Sequence, residues 1–346
     1  MKKDWLQIRL LRRWLANSAQ AVCAPRIFGL LLIALIALGS LSCRPKVEQV
    51  NDQPLPDEPA PGGNLRIYAL DVGQGDGLLI ISPQGKTVLI DAGPTEAGDE
   101  VVAALRAHGV KQIDLMVATH PHADHIGGMK KVFDTFRVRK FLDSGQTYGT
   151  ATYEKLLREI QDNKTPYIKA VRGQSIEIEP DVKFDVYGPP TPLFSNSDIG
   201  TDRSVQNANS IVLRLSYGSF AMLFMGDAEF ETEARMMTAG ANLRANVLKV
   251  GHHGSRHATS GKFLTAVAPQ FSIISVGENN DYGHPAQLTM DRLKKASIKT
   301  LRTDLSGEIE IFSDGKTFDA RPSRKATLAQ TWAGRQPVRN ELTVNP

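Results

Sequence analysis

From Leu65 onward the chain alternates short apolar, β-branched runs with stretches in which apolar residues recur every three or four positions. Leu65–Ala69, Leu78–Ser82 and Thr87–Ile90 predict three strands, with Gln84-Gly85 as a hairpin turn. Ile113–Thr119 predicts a further buried strand. The strand pattern returns at Ile176–Ile178, Val182–Val186, Ile211–Ser216, Ser219–Met225, Asn246–Val250, Phe271–Val276, Thr300–Arg302 and Glu308–Phe312. Helical spacing predicts helices at Asp99–His108, Met129–Phe136, Tyr153–Gln161, Glu229–Met237, Gly261–Val267 and Gln287–Ala296. Gly109 stands where the first of these helices should end. Two successive halves of strands and helices, the helices left to cover the outer faces, make an α/β protein. Residues 65–320 are long enough for one large domain and carry no short solenoid-type repeat.

The flanks read differently. Lys2, Lys3, Arg9, Arg12, Arg13 and Arg26 form a basic region ahead of the apolar run Ile27–Leu41, the layout of a signal peptide or membrane anchor over residues 1–43. Ser40-Leu41-Ser42 offers small residues for cleavage. Cys43 raises lipid attachment, but Ser40 stands where a lipoprotein signal has a branched apolar residue, so lipidation, simple cleavage and an uncleaved anchor stay open. Residues 44–64 are Pro-rich and acidic, a tether. Residues 321–346 are polar and basic, and read as a disordered tail or a surface extension. The expectation is an exported protein, held at the membrane by its N-terminal segment or a lipid on Cys43, facing the periplasm or the cell exterior, with no obligate protein partner.

Charge and cysteine content narrow the chemistry. Of the total of +4, the first 43 residues hold about +5, the tether about −2 and the tail from Asp319 about +3. Leu65–Phe318 is thus near −2, which excludes a basic nucleic-acid platform in bulk. Both cysteines, Cys23 and Cys43, lie in the leader. The body has neither disulfides nor thiolate ligands, so any metal must be held by His, Asp and Glu.

Those residues cluster. Thr119-His-Pro-His-Ala-Asp-His-Ile-Gly-Gly128 packs His120, His122, Asp124 and His125 behind a predicted strand, where open α/β sheets place their chemistry. Ser219–Met225 runs into Gly226-Asp227, a carboxylate that can bridge two metals or cap the next helix. Asn246–Val250 runs into Gly251-His252-His253-Gly254-Ser255, where one histidine, with a lean towards His253, is a ligand and its neighbour reaches the substrate or supports a ligand from behind.

In order, His-x-His-x-Asp-His, then Gly-Asp, then His resembles the metallo-β-lactamase superfamily. The resemblance implies a four-layer αββα sandwich with a hydrolytic, dinuclear site binding two divalent ions, Zn2+ first and Mn2+ second. More narrowly, Asp71–Gly77, Leu89–Gly93, Asn207–Leu215, Leu248–Ser255 and Tyr282–Pro285 resemble the hydrolase domain of ComEC/Rec2 competence proteins. On that resemblance His120 and His122 hold the first metal, Asp124, His125 and His253 the second, and Asp227 bridges. No histidine lies between Ile126 and Gly226, so the third histidine usual in the superfamily is missing, and Asn209 or water would complete the first metal. Asn207, Asn209 and Ser210 occupy that stretch. Asp91 either supports the metal loop by hydrogen bonds or forms a plain turn, Asp76 either faces the metals or lies in a solvated turn, and His284 is a substrate contact, a proton donor or a loop residue. His108 and His257 read as surface residues.

A bridging water with its pKa lowered towards about 7 would supply hydroxide. The subgroup resemblance implies a phosphodiester substrate, with single-stranded nucleic acid leading. The alternatives are another ester or amide (a phosphorylcholine ester, a lactone or a β-lactam) and a non-catalytic binding lipoprotein.

Overall fold

Adjacent residues of one strand enter different cores, and this sets the architecture. In Gly77–Ile81, Leu78 and Ile80 point into a central cluster while Leu79 points into an outer one. A strand buried on both faces needs a continuous apolar run rather than alternation, which is what the sequence carries. The structure is a computed structural model that describes residues 63–335. The leader, nearly all of the tether and residues 336–346 lie outside the described residues. Among the described residues no helix is long and apolar enough to cross a membrane.

Two sheets pack face to face. The first has eight strands in the order Phe318–Pro322, Ile309–Ser313, Leu65–Ala69, Gly77–Ile81, Thr87–Ala92, Leu115–Ala118, Phe141–Asp143 and Tyr167–Lys169. The second has seven, in the order Lys299–Arg302, Phe271–Ile274, Val247–Lys249, Phe220–Phe224, Val212–Tyr217, Val182–Gly188 and Ser175–Glu179. Ile67, Ile80, Ile90 and Val117 of one sheet meet Phe184, Leu213, Met222 and Phe224 of the other in the central core. Helices Gly98–Ala107, Met129–Thr135 and Ala151–Asp162 cover the outer face of the first sheet. Helices Phe230–Thr238, Gly261–Val267 and Gln287–Lys295 cover the second. This is the four-layer αββα sandwich.

Within each sheet a block of strands is parallel. Thr87–Ala92, Leu115–Ala118 and Phe141–Asp143 form one block, and Phe220–Phe224, Val247–Lys249 and Phe271–Ile274 belong to the other. Their carboxyl ends lead straight into Thr119-His120, Gly226-Asp227 and Gly251-His252-His253. Loops from both sheets therefore meet at one edge of the sandwich, the usual place for chemistry in α/β sheets.

Several expectations need correction. The single strand over Ile113–Thr119 is broken at Asp114: Gln112–Ile113 pairs with Arg137–Val138 in a small separate sheet, and Leu115–Ala118 joins the large one. Phe141–Asp143 and Tyr167–Lys169, three residues each, were too short to show a period. The tail is not disordered from Arg321. Strand Phe318–Pro322 pairs with Ile309–Ser313, helix Leu328–Trp332 follows, and Arg335 binds Asp304 at 2.6 Å. Buried Arg302 gathers this segment by donating to the carbonyls of Thr331 and Ala333 while pairing with Asp304. A polar segment with no apolar period can dock when its carbonyls satisfy a buried guanidinium.

Candidate metal centre

Asp91 organises the first histidine loop. It sits at the end of Thr87–Ala92 with φ of 57°, a left-handed conformation uncommon outside glycine, and it is fully buried. Its Oδ1 accepts from the Thr119 backbone N–H at 2.8 Å, and its Oδ2 accepts from Thr119 Oγ1 at 2.7 Å. The same Oδ2 takes His125 Nδ1 at 2.8 Å. Asp91 thus ties the start of the loop to its last histidine and turns His125 Nε2 inward. The Gly-rich loop closes over it: Asp76 N donates to the Asp124 carbonyl at 3.3 Å, and a Cβ on Gly75 would collide with that carbonyl.

Histidines 252 and 253 both have positive φ, 47° and 49°, at the end of Val247–Lys249. Two successive non-glycine residues in that region are costly and occur where a site imposes them. The turn separates their roles. His253 is buried, with Nδ1 2.9 Å from the Ser275 carbonyl and Nε2 directed at the first loop. His252 places Nδ1 2.9 Å from Glu229 Oε1 and keeps its ring at the rim.

The ligand atoms converge. His253 Nε2 lies 3.3 Å from His125 Nε2, 3.4 Å from Asp227 Oδ1 and 3.4 Å from Asp124 Oδ2. His125 Nε2 lies 3.3 Å from Asp227 Oδ1 and 3.7 Å from Asp124 Oδ2. A tetrahedral ion with bonds of about 2.0–2.1 Å has edges of about 3.4 Å, so these four atoms fit one divalent cation. The imidazoles make the same point. With both Nδ1 atoms committed to acceptors, the His125 and His253 Nε2 lone pairs face one another at 3.3 Å, and Asp227 Oδ1 is buried without a hydrogen-bond partner. Such an arrangement demands a cation.

A second set shares Asp227. His120 Nε2 lies 3.0 Å from His122 Nδ1 and 3.7 Å from Asp227 Oδ2. The carboxylate therefore presents one oxygen to each set. It does not act as a helix cap, because the helix at Phe230–Thr238 has Glu229 at its N-cap position. Asn209 cannot complete the first set. Its Oδ1 accepts from Phe194 N at 2.8 Å and its amide donates to Phe194 O at 2.9 Å, so both ends are used in pinning a loop. Ser210 Oγ accepts from Asp227 N at 3.2 Å and fixes the carboxylate's backbone, while Asn207 Nδ2 stands 3.3 Å from His252 Nε2.

Electrostatics divide the two sets. Burial disfavours charge on His125, but Asp227, Asp124 and Asp91 outweigh it and hold this imidazole well above its usual range. His253 is likewise opposed by burial, yet Asp227, Asp124 and Asp76 push it up to about 10. Burial and the nearby His125 push His120 well down, and burial lowers His122. Burial would raise Asp227, but His253 and His125 keep it well below the carboxylate range. His284 is pushed down to about 3 by burial and by repulsion from His252 and His253. It is neutral at pH 7, which suits a substrate contact rather than a proton donor.

Asp76 contributes none of the four converging atoms. Its Oδ1 is 3.4 Å from His253 Nδ1 and its Oδ2 is 2.8 Å from Lys249 Nζ, behind the ligand shell. Lys249 is fully buried and was missed by the sequence reading, although a lone cation inside an apolar strand signals a buried partner. Glu229, which orients His252, was missed as a site residue for a plainer reason, since it lies at a helix start. His108 stacks on Tyr68 and pairs with Glu308 at 3.1 Å, away from the centre, and half-buried His257 faces Asp202 at 3.5 Å.

Above the ligands opens a cleft of about 1640 Å³. His122, Asp124, Asp227 and His253 line it, with Glu96 and Glu100 among its acidic residues and Arg256 and Arg335 among its basic ones.

Comparison with known proteins agrees with this geometry. Residues 70–278 match the model of the metallo-β-lactamase superfamily. The chain is 33% identical over 70% of its length to ComE operon protein 3 of Bacillus subtilis and 30% identical over 84% to competence protein ComA of Neisseria gonorrhoeae. It is 27% identical over 71% to recombination protein 2 of Haemophilus influenzae. It spans only 32%, 38% and 28% of those relatives, so the match concerns one part of each. A sandwich whose two sheets deliver His/Asp ligands to a shared carboxylate, and a family match over more than half the chain, lead to one conclusion: the protein belongs to the metallo-β-lactamase superfamily of hydrolases and, within it, is similar to the ComEC/Rec2 competence proteins.

Proposed function

We propose that this chain is an exported phosphodiesterase acting on nucleic acid, with single-stranded DNA as its leading substrate. The observation that carries the reading is the pair of ligand sets around Asp227 at the floor of a cleft of about 1640 Å³. Pockets for small esters span roughly 300–1,000 Å³, so the cleft has room for part of a polymer. The names of the relatives, a competence protein and a recombination protein among them, favour nucleic acid. Export rests on the leader pattern of residues 1–43.

Two divalent ions, Zn2+ first and Mn2+ second, would supply Lewis acidity towards a phosphoryl oxygen and acidify water at neutral pH. Asp124, His125 and His253 would hold one, His120 and His122 the other, and Asp227 both. The protein's own groups do the rest. Asp91 and Ser275 fix the tautomers of His125 and His253. Glu229 holds His252 so that Nε2, 3.7 Å from Asp227 Oδ2, is the atom placed to hold or move a proton at the leaving oxygen. Neutral His284, 5.1 Å from His252 ring to ring, orients substrate at the wall.

The acidic lining favours a second reading, a phosphorylcholine ester whose ammonium would meet Glu96 and Glu100. The test strips metal from the full chain, reloads zinc or manganese, and assays single-stranded DNA, a simple phosphodiester and a phosphorylcholine ester. Metal-dependent DNA cleavage reduced about 1,000-fold or more by Asp227→Asn is the expected result. Turnover of the phosphorylcholine ester alone would overturn it.

A further inference from the structure

One wall of the cleft has a feature that the metal chemistry does not use. Tyr282 is 65% exposed and lines the cleft. Its ring lies nearly parallel to that of His284, at 23° with centroids 5.8 Å apart, and His284 in turn is 6.3 Å from the ligand His253. One face of the tyrosine is thus backed by an imidazole, while most of its surface meets solvent. Leu288, 61% exposed, stands on the first turn of the adjoining helix Gln287–Lys295 and lines the same cleft. That helix holds Arg256 close by, through Arg292 Nη2 donating to the Arg256 carbonyl at 2.9 Å. Among the described residues, the Arg256 side chain has no carboxylate partner.

The ring lines the cleft with most of its surface open to solvent and one face towards His284. A flat ring in the cleft above the candidate metal centre, with the guanidinium-bearing Arg256 lining the same cleft, matches the recognition of an unstacked base and a phosphate. A quaternary ammonium prefers a cage of several aromatic faces, and this wall presents one.

We propose that Tyr282 is a stacking platform for a base flanking the scissile phosphate, with Leu288 completing the apolar surface and Arg256 meeting the adjacent phosphate. The proposal rests on the nucleic-acid reading above and names the subsite that recognises it. Because a base inside a duplex already has neighbours on both faces, such a platform favours single strands.

Titration calorimetry on the zinc-loaded full chain tests it with ligands that have no phosphodiester to cleave. Adenosine 5′-monophosphate is compared with ribose 5-phosphate, which keeps the sugar and phosphate but lacks the base. The wild type should bind the nucleotide roughly fivefold or more tighter. Tyr282→Phe should keep that preference, and Tyr282→Ala, at an exposed position, should abolish it. Equal binding by the wild type, or a preference that survives Tyr282→Ala, overturns the platform. Tighter binding of phosphorylcholine than of the nucleotide, lost in Tyr282→Ala, assigns the ring to a cation and also overturns it. Failure of the nuclease reading would show separately, as absent DNA cleavage by the same preparations.

Discussion

The two ligand sets share one carboxylate but are built differently. Around His125 and His253 the protein gathers Asp124, Asp227, Asp91 and Asp76, and every imidazole Nδ1 is tied to an acceptor. Around His120 and His122 it places the other oxygen of Asp227, 3.7 Å from His120, with Asp124 acting from farther off, and their back contacts are weaker, to Thr119 Oγ1 at 3.2 Å and Ser204 Oγ at 3.4 Å. Without ions, protons stand in for the cation at the carboxylate-rich set, where His125 and His253 are held up, while His120 and His122 are pushed down and stay neutral. The contrast teaches that negative charge and fixed tautomers, rather than the count of histidines, decide which set is made for a tightly held ion.

The largest effect expected on that contrast comes from Lys249→Met. It removes the lysine partner of buried, charged Asp76 and leaves His253 Nδ1, 3.4 Å away, beside it, and should cost about 3–5 kcal/mol of stability, read as a fall in Tm. Asp76→Asn/Lys249→Met should recover much of it, and a fall no larger than that of an exposed lysine variant would remove Lys249 from the support of the site.

Asp91→Asn should weaken metal binding at the carboxylate-rich set about 10- to 100-fold, since it loosens both His125 and Thr119, with the other set changed less. Competition with a chelating dye would measure this. Equal losses at both sets would erase the asymmetry.

Wild-type protein titrated with zinc should fill in two steps separated by at least about tenfold in affinity at alkaline pH, the carboxylate-rich set first. A single step of two equivalent ions would contradict it.

The smallest effect expected lies in the protons released on metal binding. The His125 and His253 Nε2 atoms are 3.3 Å apart, so at pH 7 between about one and two protons must leave when an ion enters, and affinity there should rise with pH. Filling the other set should release almost none, and calorimetry in buffers of different ionisation enthalpy would separate the two. His253 sits at about 10 in the folded metal-free state against 6.5 when unfolded. Its contribution is complete below about 6.5 and lost as pH rises towards 10, so the metal-free protein should soften in alkali while the loaded one resists.

The pattern of the chain went far because both faces of the central strands are buried and the ligands follow strand ends directly. Short apolar runs such as Leu115–Ala118 and Phe220–Phe224 read as interior strands, and His120, His122, Asp124, His125 and Asp227 stand within a few residues of where those runs stop. Local spacing is a sequence property, so these residues were legible. Asn209 was misread because its proximity in sequence to Ser210 says nothing of Phe194, fifteen positions away, which takes both ends of its amide.

Contacts between segments far apart in the chain were set by folding. The succession of strands and helices and the placement of the candidate His/Asp ligands at strand ends could be read along the chain, and between His252 and His253 the reading went no further than a lean towards His253. Folding separated them, because the left-handed turn sends His253 inward to meet His125, 128 positions earlier, and sends His252 out to Glu229. It also paired Lys249 with Asp76 and drew Arg335 onto Asp304. The reason is physical: a buried charge or lone pair must find its partner wherever the chain happens to bring one, and sequence spacing carries no record of that distance.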